Sequence, residues 1–379
     1  MHILKSMNKL AELAKLFLKL GTIGFGGPAA HIAMMREEVV KKRKWIDEQH
    51  FLDLIGATNL IPGPNSTEMT MHIGHERAGW KGLVVAGLCF ILPAVVITGI
   101  LAVLYKNYGQ LPQVQPFVYG IKPAIIAIIL AAVYPLARKS LKTIELWIIG
   151  IAALVFSFTG FNEIIVLFGA GLFALLWSFL KNKNSLPVNG IFPLTILQVT
   201  GAGFLGGTSL GFFLTFLKIG AILYGSGYVL FAFLDTELVQ TGMISRQQLM
   251  DAIAVGQFTP GPLFSSVTFI GYQVDNFKGA LLATAGIFLP SFLFVALLNP
   301  LVHRIRKSKL ASAFLDAVNV ASVAIILFVC YQMGKESITD WRTLIIALIS
   351  LAIVFGYKKI NSAWIVLGGS GLGYLLSLM

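Results

Sequence analysis

The chain has 379 residues, 56% hydrophobic and only 12% charged, with 29 lysines and arginines against 17 acidic residues and a net charge of +12. A soluble domain carries roughly twice that share of charge, so composition and a mean hydropathy of +0.81 exclude an ordinary globular protein. Nearly charge-free runs of bilayer-spanning length, without the alternation of a membrane β-barrel, indicate an all-α polytopic membrane protein.

Residues 1–19 hold four lysines and one glutamate but no apolar stretch ending in a cleavage site, so they read as retained chain rather than a signal peptide. The apolar stretch 10–40 is interrupted at Gly24-Phe25-Gly26-Gly27-Pro28, and 51–75 at Pro62-Gly63-Pro64. Proline removes a backbone donor and glycine admits angles that other residues avoid, so both stretches are broken helices. Spans are expected at 82–105 and 117–137, and two more within 146–177. The segment 188–210, glycine-rich and weakly hydrophobic, is a linker or an extra crossing.

From there the chain repeats itself. Phe17-Leu18-Lys19-Leu20-Gly21 recurs as Phe216-Leu217-Lys218-Ile219-Gly220, and Pro62-Gly63-Pro64 as Pro260-Gly261-Pro262. Lys81-Gly82 returns as Lys278-Gly279 and Leu92-Pro93 as Leu289-Pro290, at offsets between 199 and 197. The expected organisation is a first repeat at 1–183, a link at 184–210 and a second repeat at 211–379. Duplicated units with interrupted helices at matching positions mark secondary transporters.

The basic clusters at 41–44, 138–142, 181–183, 303–309 and 357–359 account for the net charge through the positive-inside rule, without nucleic acid as a partner. Placing them all in the cytoplasm makes 82–105 run outward and its counterpart 279–300 run inward, so the repeats are inverted. It also makes each broken stretch a re-entrant hairpin of two half-helices, which keeps 41–44 and Lys81 inside. Lys278 then falls outside, against the rule.

Half-helices that begin at mid-membrane aim unpaired N–H groups and the positive end of the dipole into a cavity, where oxyanions bind. The candidate substrate-binding residues are Gly26, Gly27 and Gly225 at the first breaks and the two Pro-Gly-Pro turns, with Asn65, Ser66, Thr67, Ser265 and Ser266 behind them. Lys19 and Lys218 are repeat-matched cations in apolar stretches, suited to a dianion if they do not merely snorkel. Glu68 has no acidic twin and is either a proton-coupling group or a partner of His72 or Arg77; His31 is a second candidate for coupling, expected first as a hydrogen-bonding residue on a helix surface. Asp53 and Asp251, nine residues before each Pro-Gly-Pro, either pair with a lysine or, as N-terminal residues of half-helices, favour the dipole.

Nothing points to an enzyme or a cofactor. Residues 21–28 lack the Gly-Lys-Ser/Thr ending of a P-loop, Cys89 and Cys330 have no metal or redox spacing, and no hydrolytic or metal-ligand constellation is present.

The chain resembles the chromate ion transporter family in its long two-domain form. Gly24-Phe25-Gly26-Gly27-Pro28-Ala29-Ala30-His31, residues 59–68, Ala78-Gly79-Trp80 and Phe90-Ile91-Leu92-Pro93 carry the resemblance in the first half. Residues 258–262, 269–272 and 289–292 carry it in the second, where Tyr224-Gly225-Ser226-Gly227 departs from the Phe-Gly-Gly-Pro form. The resemblance implies export of chromate across the cell membrane, driven by the proton gradient or by exchange with sulfate, with no cofactor and with a homodimer left open. A sulfate or general oxyanion carrier and an anion channel are the alternatives.

Overall fold

The computed structural model describes residues 2–109, 111, 113–181, 209–225, 227–298, 309–357 and 360–378. The expected link at 184–210 lies almost wholly outside them, as do Ser226, most of the basic loop 303–309, and Lys183, Lys358 and Lys359. The first repeat comprises α1 (His2–Ile23), α2 (Gly27–Met35, continuing as a π-helix over Arg36–Lys42), α3 (Glu48–Thr58), α4 (Asn65–Tyr108), α5 (Gln115–Ser140), α6 (Ile144–Phe158) and α7 (Glu163–Lys181). The second comprises α8 (Ser209–Ile222), α9 (Val229–Leu234, continuing as a π-helix over Asp235–Val239), α10 (Arg246–Phe258), α11 (Ser266–Leu298), α12 (Lys309–Ser337), α13 (Trp341–Gly356) and α14 (Ser362–Ser377). Five of these, α4, α5, α7, α11 and α12, are long and apolar enough to cross a bilayer.

The broken stretches are hairpins with their feet together. Arg77 bonds Glu12 of α1 at 2.8 Å and lies over the ring of Trp45, which follows α2. His50 at the start of α3 lies 3.5 Å from Glu76, while at the tip Asn65 Nδ2 donates to Asn59 Oδ1 at 2.9 Å. Each hairpin therefore enters and leaves on one side, with 41–44 at the foot. The entering half-helices are capped alike: Asp47 accepts from His50 N at 2.8 Å, and Ser245 forms a capping box with Gln248.

A second reversal lies inside α4 and α11. Ala78 and Gly79 have non-helical angles (φ −147° and 60°), matched by Asp275 and Asn276 (φ −140° and 47°). Each helix folds back on itself there, with Gly74 against Gly82 and Gly271 against Gly279 so closely that an added Cβ would overlap a facing carbonyl. In lipid, where apolar burial does not drive helix association, such small-residue contacts hold the arms together. The second copy has one residue fewer between its Pro-Gly-Pro turn and this bend, and begins with a 3-10 turn, Leu263–Ser265. Three residues rising ~2.0 Å rather than ~1.5 Å recover about the rise of the missing one.

The repeats are inverted, as the loop charges require. Lys106 Nζ donates to Asn276 Oδ1 at 2.8 Å and Gln273 to the Ala102 carbonyl at 3.2 Å, whereas Gly87 lies against the Phe292 ring. The arm 80–108 thus runs from its own repeat's feet to the other repeat's feet, antiparallel to its equivalent in α11. At ~1.5 Å per residue, 80 to 106 covers about 40 Å, a bilayer with its interfaces. The outer helices exchange: α6 and α7 pack on α12, while α13 and α14 pack on α5. Leu88, Leu92, Val96 and Ile100 form an exposed i, i+4 stripe on α4, the face turned to lipid. Single-cysteine accessibility labelling in sealed vesicles should therefore place residues 41–44 and 240–248 on opposite sides of the membrane; labelling of both from one side would defeat the inversion.

Candidate substrate site where the helix breaks meet

The four hairpin tips meet across the repeat boundary. Gly63 N–H donates to the Leu223 carbonyl at 2.8 Å, and Gly261 N–H donates to the Gly24 carbonyl at 2.8 Å. These bonds are equivalents, offset by 199 and 198, and each ties the Pro-Gly-Pro turn of one repeat to the first break of the other. Gly63 (φ 135°) and Gly261 (φ 93°) hold backbone that other residues rarely adopt. A Cβ on Gly63 would overlap Glu68 and Ser291, and one on Gly261 would lie 2.9 Å from the Ala94 methyl, the position equivalent to Ser291. Gly24 O also receives His31 Nε2 at 2.8 Å. His31 is thus buried against Phe90, ring centroids 5.3 Å apart, rather than on a helix surface as expected.

Behind the turns, Pro64 and Pro262 are extended and the half-helices begin without a side-chain cap. Ser66, Thr67, Ser265 and Ser266 are all buried, and Thr67 Oγ1 and Ser266 Oγ have no hydrogen-bond partner. Glu68, in the first turn of α4, is fully buried; its Oε1 accepts from Ser291 Oγ at 3.3 Å and its Oε2 has no partner. The expected partner Arg77 is engaged by Glu12 instead.

A narrow, partly open cavity lies on one side of the crossing. Gly26, Gly27, Gly261 and Leu263 line it with Tyr228, Gln257, Thr259 and Ser362. The structure therefore brings Gly26, Gly27 and Gly261 to one cavity, flanked by Pro260 and Pro262. Pro62, Gly63, Pro64, Asn65, Ser66 and Thr67 lie outside its wall, as do Ser265 and Ser266. At the equivalent second break Gly225 is close-packed: a Cβ on it would lie 2.6 Å from Ser322 Oγ, which donates to the Tyr224 carbonyl. The near-copies of one motif are thus packed differently at Gly26 and Gly225.

The charges lie away from the crossing. Lys19 pairs with Glu38 at 3.5 Å and Lys218 with Glu237 at 2.5 Å, each carboxylate 19 residues on along the returning arm. Both lysines thus have a carboxylate of their own repeat rather than ammonium groups free to converge on one anion. The signal for Glu38 and Glu237 was in the sequence, since they too are offset by 199. Arg36–Glu48 (2.7 Å) and Asp235–Arg246 (2.8 Å) occupy another matched position with the polarity reversed. Asp53 and Asp251 sit in the middle of α3 and α10, not in their first turns; Asp251 accepts from the Tyr105 hydroxyl and from Gln247. That tie between repeats is visible only in three dimensions.

The architecture defines a class: an all-α, multi-pass membrane protein of two inverted repeats whose helix breaks cross at mid-depth, the arrangement of secondary transporters. The chromate transporter family profile matches residues 11–175 and 210–374. A chromate transport protein of Cupriavidus metallidurans is 31% identical over 373 residues, covering 96% of this chain and 92% of the relative. A probable chromate transport protein of Synechococcus elongatus is 32% identical over 352 residues (90% and 89%), and a chromate transport protein of Pseudomonas aeruginosa 27% over 382 (96% and 92%). The chain belongs to the chromate transporter family, a family of transport proteins rather than enzymes. No solved structure matches it.

The two lysine pairs should respond differently to mutation. Lys218 and Glu237 are 13% and 17% exposed, so Lys218→Met strands a buried carboxylate and should cost about 3 kcal/mol or more. The Lys19 side chain is 58% exposed, and Lys19→Met should cost under about 1 kcal/mol. Thermal melting in detergent checks this, with Lys218→Met/Glu237→Gln expected to recover most of the loss.

Proposed function

We propose that this protein is a secondary carrier that exports chromate across the cell membrane, coupled to the proton gradient or to exchange with sulfate, with its basic loops in the cytoplasm. The observation that carries this reading is the crossing of four helix breaks between inverted repeats, tied by matched backbone bonds, with a cavity bordering the first break of one repeat. Interrupted helices at matching positions of two inverted repeats are the arrangement of carriers that work by alternating access. Membership of a family whose named relatives transport chromate supports the substrate. Sulfate has the same tetrahedral shape and double charge, and the neutral groups lining the cavity suit it as well.

Proteoliposomes test the reading. An imposed proton gradient should drive chromate, and sulfate in competition, against its own concentration gradient. Only downhill flux would indicate a channel, and no flux of either ion would refute an oxyanion carrier.

Glu68 is the coupling group in this reading. It is a carboxyl for which no cationic partner stands among the described residues, set between the first Pro-Gly-Pro turn and Ser291 of the opposite repeat, where movement of the crossing changes its surroundings. Glu68→Gln keeps its shape and removes its charge. Proton-driven uptake should fall at least about tenfold, the scale on which hydrogen bonds to charged groups act, while substrate exchange at equal pH persists. Unaltered proton-driven uptake would remove Glu68 from coupling.

A further inference from the structure

Asp251 is a carboxyl group held by donors of both repeats. It is 4% exposed and accepts from the Tyr105 hydroxyl, near the end of α4, and from Gln247 Nε2, one turn back on α10, at 3.1 Å. Gln247 Oε1 in turn accepts from the ammonium of Lys122 on α5. One amide thus bridges an acid and a base, and α10 is fastened to two helices of the first repeat.

The first repeat keeps only half of this set. Gln49 and Asp53 recur at an offset of 198 and bond alike at 3.4 Å. Beyond them, Tyr134 matches Tyr331 and residues 127–130 match 324–327 at an offset of 197. That register sets Val302 in the place of Tyr105 and Asn319 in the place of Lys122, so the hydroxyl and the charge are both missing. Packing differs in the same sense: α10 packs on α5 and α14, whereas α3 packs on α4 and on the π-helical turn of its own repeat.

Every bond to Asp251 is donated to it, so each needs a carboxylate oxygen free to accept. A proton on the carboxyl adds a donor where Gln247 Oε1 is already taken by Lys122, and it removes the charge that the other groups surround. The remaining charged or titratable groups about α10 are engaged elsewhere. Arg246 holds Asp235 and Glu336, Lys218 holds Glu237, Lys106 lies on Asn276 and the Tyr272 ring of α11, and Tyr374 of α14 stacks on Phe117. Asp275 and Lys278 stand at the bend of α11. Asp251 lies about 9 Å along α10 from the Ser245 cap, and Tyr105, Lys122 and Gln247 beside it are half-buried. Protons therefore reach it from the face where the second hairpin has its feet.

We infer that Asp251, with Tyr105, Gln247 and Lys122, is a proton-binding site that fastens the second hairpin while ionised and releases it when protonated. It is separate from Glu68, which lies at the crossing itself. The inference rests on the carrier reading, in which the feet of the second hairpin face outward. A proton arriving from outside then frees the outer hairpin as the anion leaves.

Ala254, three residues on from Asp251 and 7% exposed, shares its face of α10 and reports on release. In a Cys89→Ala/Cys330→Ala background, Ala254→Cys is labelled in sealed vesicles by a membrane-impermeant thiol reagent from the second-hairpin side, with and without Asp251→Asn. Comparing the two rates at each pH removes the pH dependence of the reagent. Near neutral pH, Asp251→Asn should label at least about tenfold faster, the scale of hydrogen bonds to a charged group. The two rates should converge as the pH falls towards about 4.5. Equal rates at every pH, or a difference that ignores pH, overturns the site. Should Asp251→Asn fail to fold by gel filtration, Tyr105→Phe, which withdraws one donor, should speed labelling severalfold; unchanged labelling there overturns the site as well. Labelling needs no transport, so it decides the site even where proteoliposomes show no proton-driven flux and the carrier reading falls.

Discussion

Two backbone hydrogen bonds, Gly63 to Leu223 and Gly261 to Gly24, hold the centre of this protein. Irregular backbone inside a bilayer survives only where protein satisfies its polar groups. A hairpin tip at mid-depth has several such groups and cannot satisfy them all within its own repeat. Each tip instead bonds to the other repeat, so neither half has a complete centre alone. Much else follows: glycine where the facing repeat comes within a Cβ's reach, proline where the next half-helix must start fresh, and His31 turned inward to share the Gly24 carbonyl.

Exchange between repeats continues outward from that centre. The paired helices α6 and α7 pack on α12, and α13 and α14 on α5, so each repeat is braced by the other's periphery. Tyr105 of the first repeat bonds Asp251 of the second. Ion pairs stay near the hairpin feet, where Glu38 gathers Lys19, Lys42 and Arg43. Charges are cheapest at the membrane surfaces, and the crossing is left to neutral groups and one carboxyl, Glu68, which Ser291 bonds.

The two copies share their backbone but not their side chains. Ala94 faces Gly261 while Ser291 faces Gly63, and Asn65 is replaced by Leu263. The first break borders a cavity, and at the second Gly225 lies close against Ser322. Exposure follows the same division. Lys19 and Ile23 are open on α1, whereas Lys218 and Ile222 on α8 are largely covered and α9 packs against α7 and α12. The scaffold is symmetric and its contents are not.

By itself the sequence determined the membrane class, the duplication, the four breaks and the inversion. All of these are signalled locally, by apolar run length, by glycine and proline, or by basic loops. It placed the Pro-Gly-Pro turns at the centre and pointed to Glu68; it offered Lys19 and Lys218 as cations for a dianion or as snorkelling side chains, and the structure gives each a glutamate on the returning arm. The tertiary structure alone decided which polar groups are satisfied and by what: the crossed glycine bonds, the tie of Tyr105 to Asp251 and the exchange of outer helices. Hydrogen bonding is a pairwise property of groups far apart in the chain. Periodicity and spacing report where a helix breaks, but only the folded arrangement shows what the broken ends find on the other side.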